Sequence, residues 1–252
     1  MCSVVILRRA GHSWPLVLAA NRDEMLERAW DPPGRHWSDR PDVVAGRDRL
    51  GGGSWLGVND AGMVAAVLNR VGSLGPATGK RSRGELVLEA LDHADAQTAA
   101  EQLRHLDPGA YRSFNLVIAD RRAAFWLKSV GRSGKGIEVT EVPQGISMLT
   151  ARDLNDPGSP RIARNFPDFS TALPPDPDLD DWDAWLELLR RTGLDHPMDG
   201  MIVTMESGFE TVSSSLIALP AANHAIAGED ATPVWLFAPG RPDHADYQPI
   251  EF

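Results

Sequence analysis

Residues 1–24 read MCSVVILRRAGHSWPLVLAANRDE, and the fold follows from how this stretch is read. Ser3 to Leu7 and Leu16 to Ala20 are short apolar runs, separated by an interval containing Gly11, His12, Ser13 and Pro15. Branched side chains favour the pleated backbone and a Gly/Pro-containing interval turns the chain back, so the pattern predicts a β-hairpin. Hairpin strands are antiparallel, which sets the end of the second beside the start of the first. Asn21-Arg22-Asp23-Glu24, at the end of the second strand, is therefore expected alongside Cys2.

Working outward, the segment from Trp30 to Asp48 mixes Trp, Pro and charged residues and reads as a long ordered loop, ended by Gly51-Gly52-Gly53. A second hairpin is expected from Ser54 to Val58 and Gly62 to Leu68, with Asn59-Asp60-Ala61-Gly62 as the turn. Ser82-Arg83-Gly84-Glu85 has capping-box spacing ahead of Leu86, Val87, Ala90 and Leu91, so a helix starts there, and another covers Ala96 to Leu106. Phe114 to Ala119, Ala124 to Ser129, Ile137 to Val142 and Ile146 to Thr150 alternate with Gly-containing turns as a meander of strands. Past the loop around Pro174-Pro175, Trp182, Trp185, Leu186 and Leu189 share one face of a helix. Thr211 to Leu219 and Val234 to Ala238 close as strands. Strands that alternate with turns rather than with helices make an α+β protein of antiparallel sheet with segregated helices. A single domain over 1–252 is expected.

Composition narrows the function. The 252 residues carry 25 Lys+Arg against 35 Asp+Glu, a formal charge of −10, and a single cysteine. One thiol excludes a disulfide framework and disfavours structural zinc. The acidic balance, with pI near 5.1 and no basic tract, gives no electrostatic footprint for nucleic acid. No run approaches the length of a membrane span, and Met1 to Leu7 lacks a basic leader, so a cytoplasmic protein with small-molecule ligands and no membrane insertion is expected. The seven histidines show no HExxH spacing and no metal is assigned; Gly51-Gly52-Gly53 lacks the Lys-Ser/Thr of a phosphate loop. Ser82 reads as a helix cap rather than a nucleophile.

The position of Cys2 matters more than its being the one cysteine. Removal of Met1 would place a thiol and an α-amino group on one residue, and an amine with a pKa near neutrality can take the thiol proton without a separate histidine. The plainer alternative is a small hydrophobe at the start of a strand. Arg22 beside the thiol would lower its pKa, Asp23 would hold the ammonium or fix Arg22, and Asn21 would donate to a developing oxyanion. Their plainer alternative is a solvated strand end.

MCSVVIL at 1–7, AANRDE at 19–24, GGGSWLGVN at 51–59, LNR at 68–70, RSRGEL at 81–86 and FNLVIAD at 114–120 together resemble the NRDE family, also called Transport and Golgi organisation protein 2-like. The resemblance runs from residue 1 to about 165 and then thins. It implies the N-terminal nucleophile hydrolase fold, a four-layer αββα sandwich of two antiparallel sheets between helices. By similarity to cysteine-type hydrolases of that fold, Cys2 is the expected nucleophile, Arg22 and Asp23 match the Arg and Asp after the second strand, and Asn59 matches the oxyanion-hole Asn. Asn69, Arg70 and Asn115 would line the same pocket with Asn21 and Glu24, and Trp55 would wall it. Two later positions depart from the pattern: Ala151 follows Thr150 where a strand-end Asn is expected, and Thr211-Val212-Ser213-Ser214-Ser215 stands where an Arg is expected. The implied activity is hydrolysis of a non-peptide carbon–nitrogen bond, with no cofactor required. The alternative implied by the family is a non-catalytic carrier with haem as cargo, or acyl-CoA or lipid, in which Arg22 pairs with a propionate.

Overall fold

The computed structural model describes residues 2–226 and 229–252. Along the chain run β1 (Ser3–Arg8), β2 (Leu16–Met25), β3 (Trp30–Gly34), β4 (Val43–Asp48), β5 (Leu56–Asn59), β6 (Val64–Asn69), α1 (Gly84–Leu91), α2 (Ala96–Leu103), β7 (Phe114–Ala119), β8 (Ala124–Ser129), β9 (Glu138–Glu141) and β10 (Gly145–Leu149). There follow α3 (Pro160–Thr171), α4 (Asp183–Leu189), β11 (Phe209–Leu219), the short β12 (Ala225–Ile226) and β13 (Glu229–Asp230), β14 (Val234–Ala238) and β15 (Gln248–Pro249). The α+β class and the antiparallel sheets expected from the sequence are present. The chain forms two compact units, 1–27 with 143–251 and 28–142 with 252.

The first unit is built on a six-stranded sheet in the order β10-β1-β2-β11-β14-β15. The β1/β2 hairpin pairs Ser3 with Asn21 and Arg8 with Leu16, as the opening stretch predicts. Strand alternation sends Val5, Leu7, Val17, Ala19, Leu216 and Ala218 to one face, where they pack against Ile162 and Phe169 of α3 and Trp185, Leu188 and Leu189 of α4. Phe169 and Trp185 meet edge to face at 5.4 Å. Burying each such aliphatic or aromatic side chain contributes about 1.5–3 kcal/mol, which is what fixes these helices to the sheet.

The second unit is a seven-stranded meander, β3 to β9 in sequence order, with α1 and α2 on one face. Leu86, Val87, Ala90 and Leu91 of α1 and Ala96, Ala99, Ala100 and Leu103 of α2 cover Met63, Ala65, Phe114, Leu116 and Ile118.

Four expectations change. The segment read as a loop over 30–48 contains β3 and β4; Pro32-Pro33 disguised a strand that lies at the sheet edge, where missing amide donors are tolerated. Asn21 to Glu24 do not follow β2 but lie inside it, and Asn21, Arg22 and Asp23 are buried. The capping box does not form: Arg83 is the N-cap, Ser82 Oγ accepts the Gly84 N–H at 3.2 Å, and Glu85 is drawn instead to Arg81. The four-strand meander is divided, because β10 leaves β9 and pairs with β1, Val4 facing Leu149.

Candidate functional site

The site on the first unit starts at the open end of the β1/β2 pair. Carried on by one residue, the Ser3–Asn21 register sets Cys2 beside Arg22, and the Cys2 Sγ lies 4.0 Å from the Asp23 carbonyl oxygen. Along β2 the side chains alternate, so Asn21 and Asp23 share the helix-covered face with Ala19, and Arg22 points to the opposite face with Ala20. The residue Cys2 keeps some exposure, yet burial of the thiol pushes its pKa up; the Asp23 charge adds to that and Arg22 opposes it.

Asp23 is the most constrained of the group. Its side chain is fully buried, Oδ2 accepts from Arg161 Nη1 at 2.9 Å and Oδ1 accepts from Thr211 Oγ1 at 2.7 Å. The Arg161 side chain is 3% exposed. A buried carboxylate is tolerated only with such partners, since unpaired burial of charge is prohibitive. Thr211 reaches Asp23 because β11 bulges between Thr211 and Ser213, and its hydroxyl also accepts the Val203 N–H at 2.9 Å. Val212, at the position where the resemblance expects an Arg, is the extra residue of that bulge.

Asn21 is likewise engaged. Its amide donates to Leu189 O and Met201 O, both at 3.1 Å, and its Oδ1 accepts from Ser214 Oγ at 2.5 Å, which in turn accepts from Tyr247 Oη at 2.6 Å. Both amide hydrogens are used on the helix side, where they tie β2 to the end of α4 and to the segment after it. Desolvation pushes the Tyr247 phenol up to about 12. Glu24 is half-exposed, across from Glu210, with its Oε1 accepting the Met25 N–H.

The remaining expected residues belong to the second unit. Asn59 donates both amide hydrogens, to Leu91 O at 2.9 Å and His93 O at 2.8 Å, while its Oδ1 accepts the Met63 N–H at 3.0 Å. It faces the helix side, closing the β5/β6 turn and satisfying carbonyls at and just past the C-terminus of α1, so both amide hydrogens are engaged there. Arg70 donates to Asn115, Nη1 to Oδ1 at 2.6 Å, and Trp126 donates to the same Oδ1 at 3.1 Å. Asn69 ends β6 opposite Phe114. Trp55 packs edge-on against Trp30 at 5.7 Å and over Gly46, where a Cβ would sit 2.3 Å from the indole. That is an anchoring role within the sheet.

The sequence reading missed Arg161 and its turn. Ser159-Pro160 carried a signal, a cap-type residue before a proline at the first helical position. Ser159 Oγ makes its bond to Thr150 Oγ1, at 3.0 Å, rather than capping the helix. Among the described residues no group of three or more His, Cys, Asp and Glu is placed to hold a metal ion, and no helix is long and apolar enough to cross a membrane.

A family model described as Transport and Golgi organisation 2 matches residues 1–224. The Transport and Golgi organization protein 2 homolog of Bos taurus is 33% identical over 120 residues, 44% of this chain and 41% of that protein. The Homo sapiens homolog is 31% identical over 118 residues, 45% of this chain and 41% of its own length. The matched part thus spans about two fifths of these curated relatives. Among solved structures, the Caenorhabditis elegans ortholog of N-acylethanolamine-hydrolyzing acid amidase superposes with a TM-score of 0.55 at 12% identity, over 85% of this chain and 92% of that one. Penicillin V acylase from Agrobacterium tumefaciens gives 0.55 at 12% identity over 100% and 98%. The conjugated bile acid hydrolase of Clostridium perfringens gives 0.51 at 11% identity over 100% and 97%. At these identities the likeness is one of fold, that of the N-terminal nucleophile hydrolases.

Proposed function

The chain belongs to the Transport and Golgi organisation 2 family, and from that premise we propose that it is a cysteine amidohydrolase of the N-terminal nucleophile type, acting on a non-peptide carbon–nitrogen bond of a small molecule. One observation carries the reading: the only cysteine of the sequence stands at the open end of β1 with Arg22 and Asp23 on the adjoining strand. The solved structures it resembles in fold include an acid amidase and an acylase.

The chemistry follows from the thiol's surroundings. Burial holds the sulfur in its protonated form, so attack needs a base in contact with it. Met1 lies outside the described residues; once it is removed, the α-amino group of Cys2, with a pKa of about 7.7–8.0, takes the thiol proton. Sγ then forms a bond to the acyl carbon, the carbon–nitrogen bond breaks, and the leaving amine departs with that proton. Water, deprotonated by the same α-amine, cleaves the thioester to release the carboxylic acid and return the thiol. Arg22 favours the thiolate, and the Asp23 backbone carbonyl lies at the sulfur.

Intact-mass measurement before and after incubation with a β-lactone tests this in one step. Loss of Met1 and one acyl adduct, absent in Cys2→Ala, is expected. Met1 fully retained in natively expressed, active protein would overturn the reading, as would wild-type turnover of an identified amide by Cys2→Ala. A saturable haem Soret shift that is lost in Arg22→Ala, with no acylation, would favour the carrier alternative instead.

A further inference from the structure

We propose that Arg161 is a positioning residue for Cys2, pinning Asp23 from the first turn of α3 so that the carboxylate on the strand beside the thiol is both ordered and neutralised. The proposal rests on the reading of Cys2 as the nucleophile.

Arg161 sits in the wrong place for a helix cation. It is the second residue of α3, where the helix dipole presents its positive end, and its side chain is buried. Neither helix preference nor solvation explains it there; the carboxylate of Asp23 at 2.9 Å does. The pair joins residues 138 positions apart, and both elements it joins serve the thiol. Asp23 supplies the carbonyl that meets Sγ. The same turn reaches the other flank of β1, since Ser159 Oγ bonds Thr150, the residue that follows β10 and falls opposite Ser3 when the β1/β10 register is continued. One helical turn thus holds both strands that border Cys2.

The electrostatic consequence has a sign. A carboxylate near a buried thiol disfavours the thiolate, and the Asp23 charge does act on Cys2 in that direction. Arg161 cancels that charge on the helix side of the sheet. Deleting the cation leaves an uncompensated carboxylate and a less reactive thiol; deleting the carboxylate leaves the cation and a more reactive one.

The sequence contains one cysteine, so iodoacetamide reports on Cys2 alone in the full chain, and its rate against pH gives the thiol midpoint. In folded Arg161→Gln the rate at neutral pH is expected to fall about tenfold, equivalent to a midpoint about one pH unit higher, and in Asp23→Asn to rise by a comparable factor. Arg161→Lys is expected to keep the wild-type profile. A structural role alone would move both single variants the same way or leave the midpoint in place, and either result overturns the proposal. Should a single variant unfold, the neutral pair Asp23→Asn with Arg161→Gln decides: a midpoint at the wild-type value supports it, and a displaced one overturns it. Failure of the nucleophile reading shows separately, as absence of acylation in the wild-type protein.

Discussion

Replacing Asn59 separates a structural side chain from a catalytic one. Its amide serves three backbone groups: Leu91 O, His93 O and the Met63 N–H. Leu91 and Met63 are fully buried, so their orphaned groups stay dry when the amide is lost, whereas His93 is half-exposed and water can reach its carbonyl. At about 1–2 kcal/mol for each dry unsatisfied group, Asn59→Ala should cost about 2–4 kcal/mol. For a chain of this length that corresponds to a fall in Tm of about 4–16 °C. Asn59→Asp should cost more than alanine, because it retains the acceptor for Met63 but turns a carboxylate oxygen toward two carbonyl oxygens. The assay is urea unfolding with m held common across the series, read alongside the rate of Cys2 acylation at a temperature where all variants are folded. A loss below about 0.5 kcal/mol, within the range of a neutral surface change, combined with abolished acylation, would refute the structural assignment and favour Asn59 as an oxyanion donor.

Two further outcomes follow from other parts of the molecule. The sequence has two tyrosines, Tyr111 and Tyr247, and burial pushes both up to about 12, so the folded protein should show almost no phenolate absorbance at pH 10. Both are held neutral in the fold while the unfolded chain ionises at about 10, so their contribution to stability is complete below that pH and is lost as pH rises through about 12; reversible half-titration near pH 10 without unfolding would contradict this. Gly53→Ala should destabilise the second unit severely, since its Cβ would lie 2.3 Å from the Gly84 carbonyl carbon where α1 begins and backbone cannot yield as a flexible side chain does; an unchanged melting temperature would count against that packing.

The strands were legible because their physics is local. Phe114–Ala119 and Ala124–Ser129 alternate or run apolar between turn residues, and the structure places them at the bounds read from sequence. The β11 and α4 segments carried equally plain periodicities. Helix α3 did not: Pro167 interrupts its interior, where a missing amide and a crowding ring normally end a helix, and few of its residues are apolar. It is held by burial of Ile162 and Phe169 and by the Arg161–Asp23 pair, none of which a local window registers.

The candidate site divided along the same line. The hairpin arithmetic of residues 1–24 was enough to put Arg22 and Asp23 next to Cys2, because antiparallel register within a hairpin is set by the turn. What each side chain does there was a tertiary matter. Alternation sends Asn21 and Asp23 to the helix face, and the partners waiting on that face come from α3, from the bulge at Thr211 and from Ser214 with Tyr247, all more than 130 residues away in sequence. Asn59 shows the converse: a turn asparagine that the family resemblance matches to an oxyanion donor is committed by the fold to carbonyls at and just past the end of α1. By itself the sequence determined the antiparallel α+β class, the family and the place of the thiol, since these depend on periodicity and near-neighbour pairing. Only the tertiary structure decided which polar groups around that thiol are already bonded, because a buried polar atom takes its partner from whichever element packs over it.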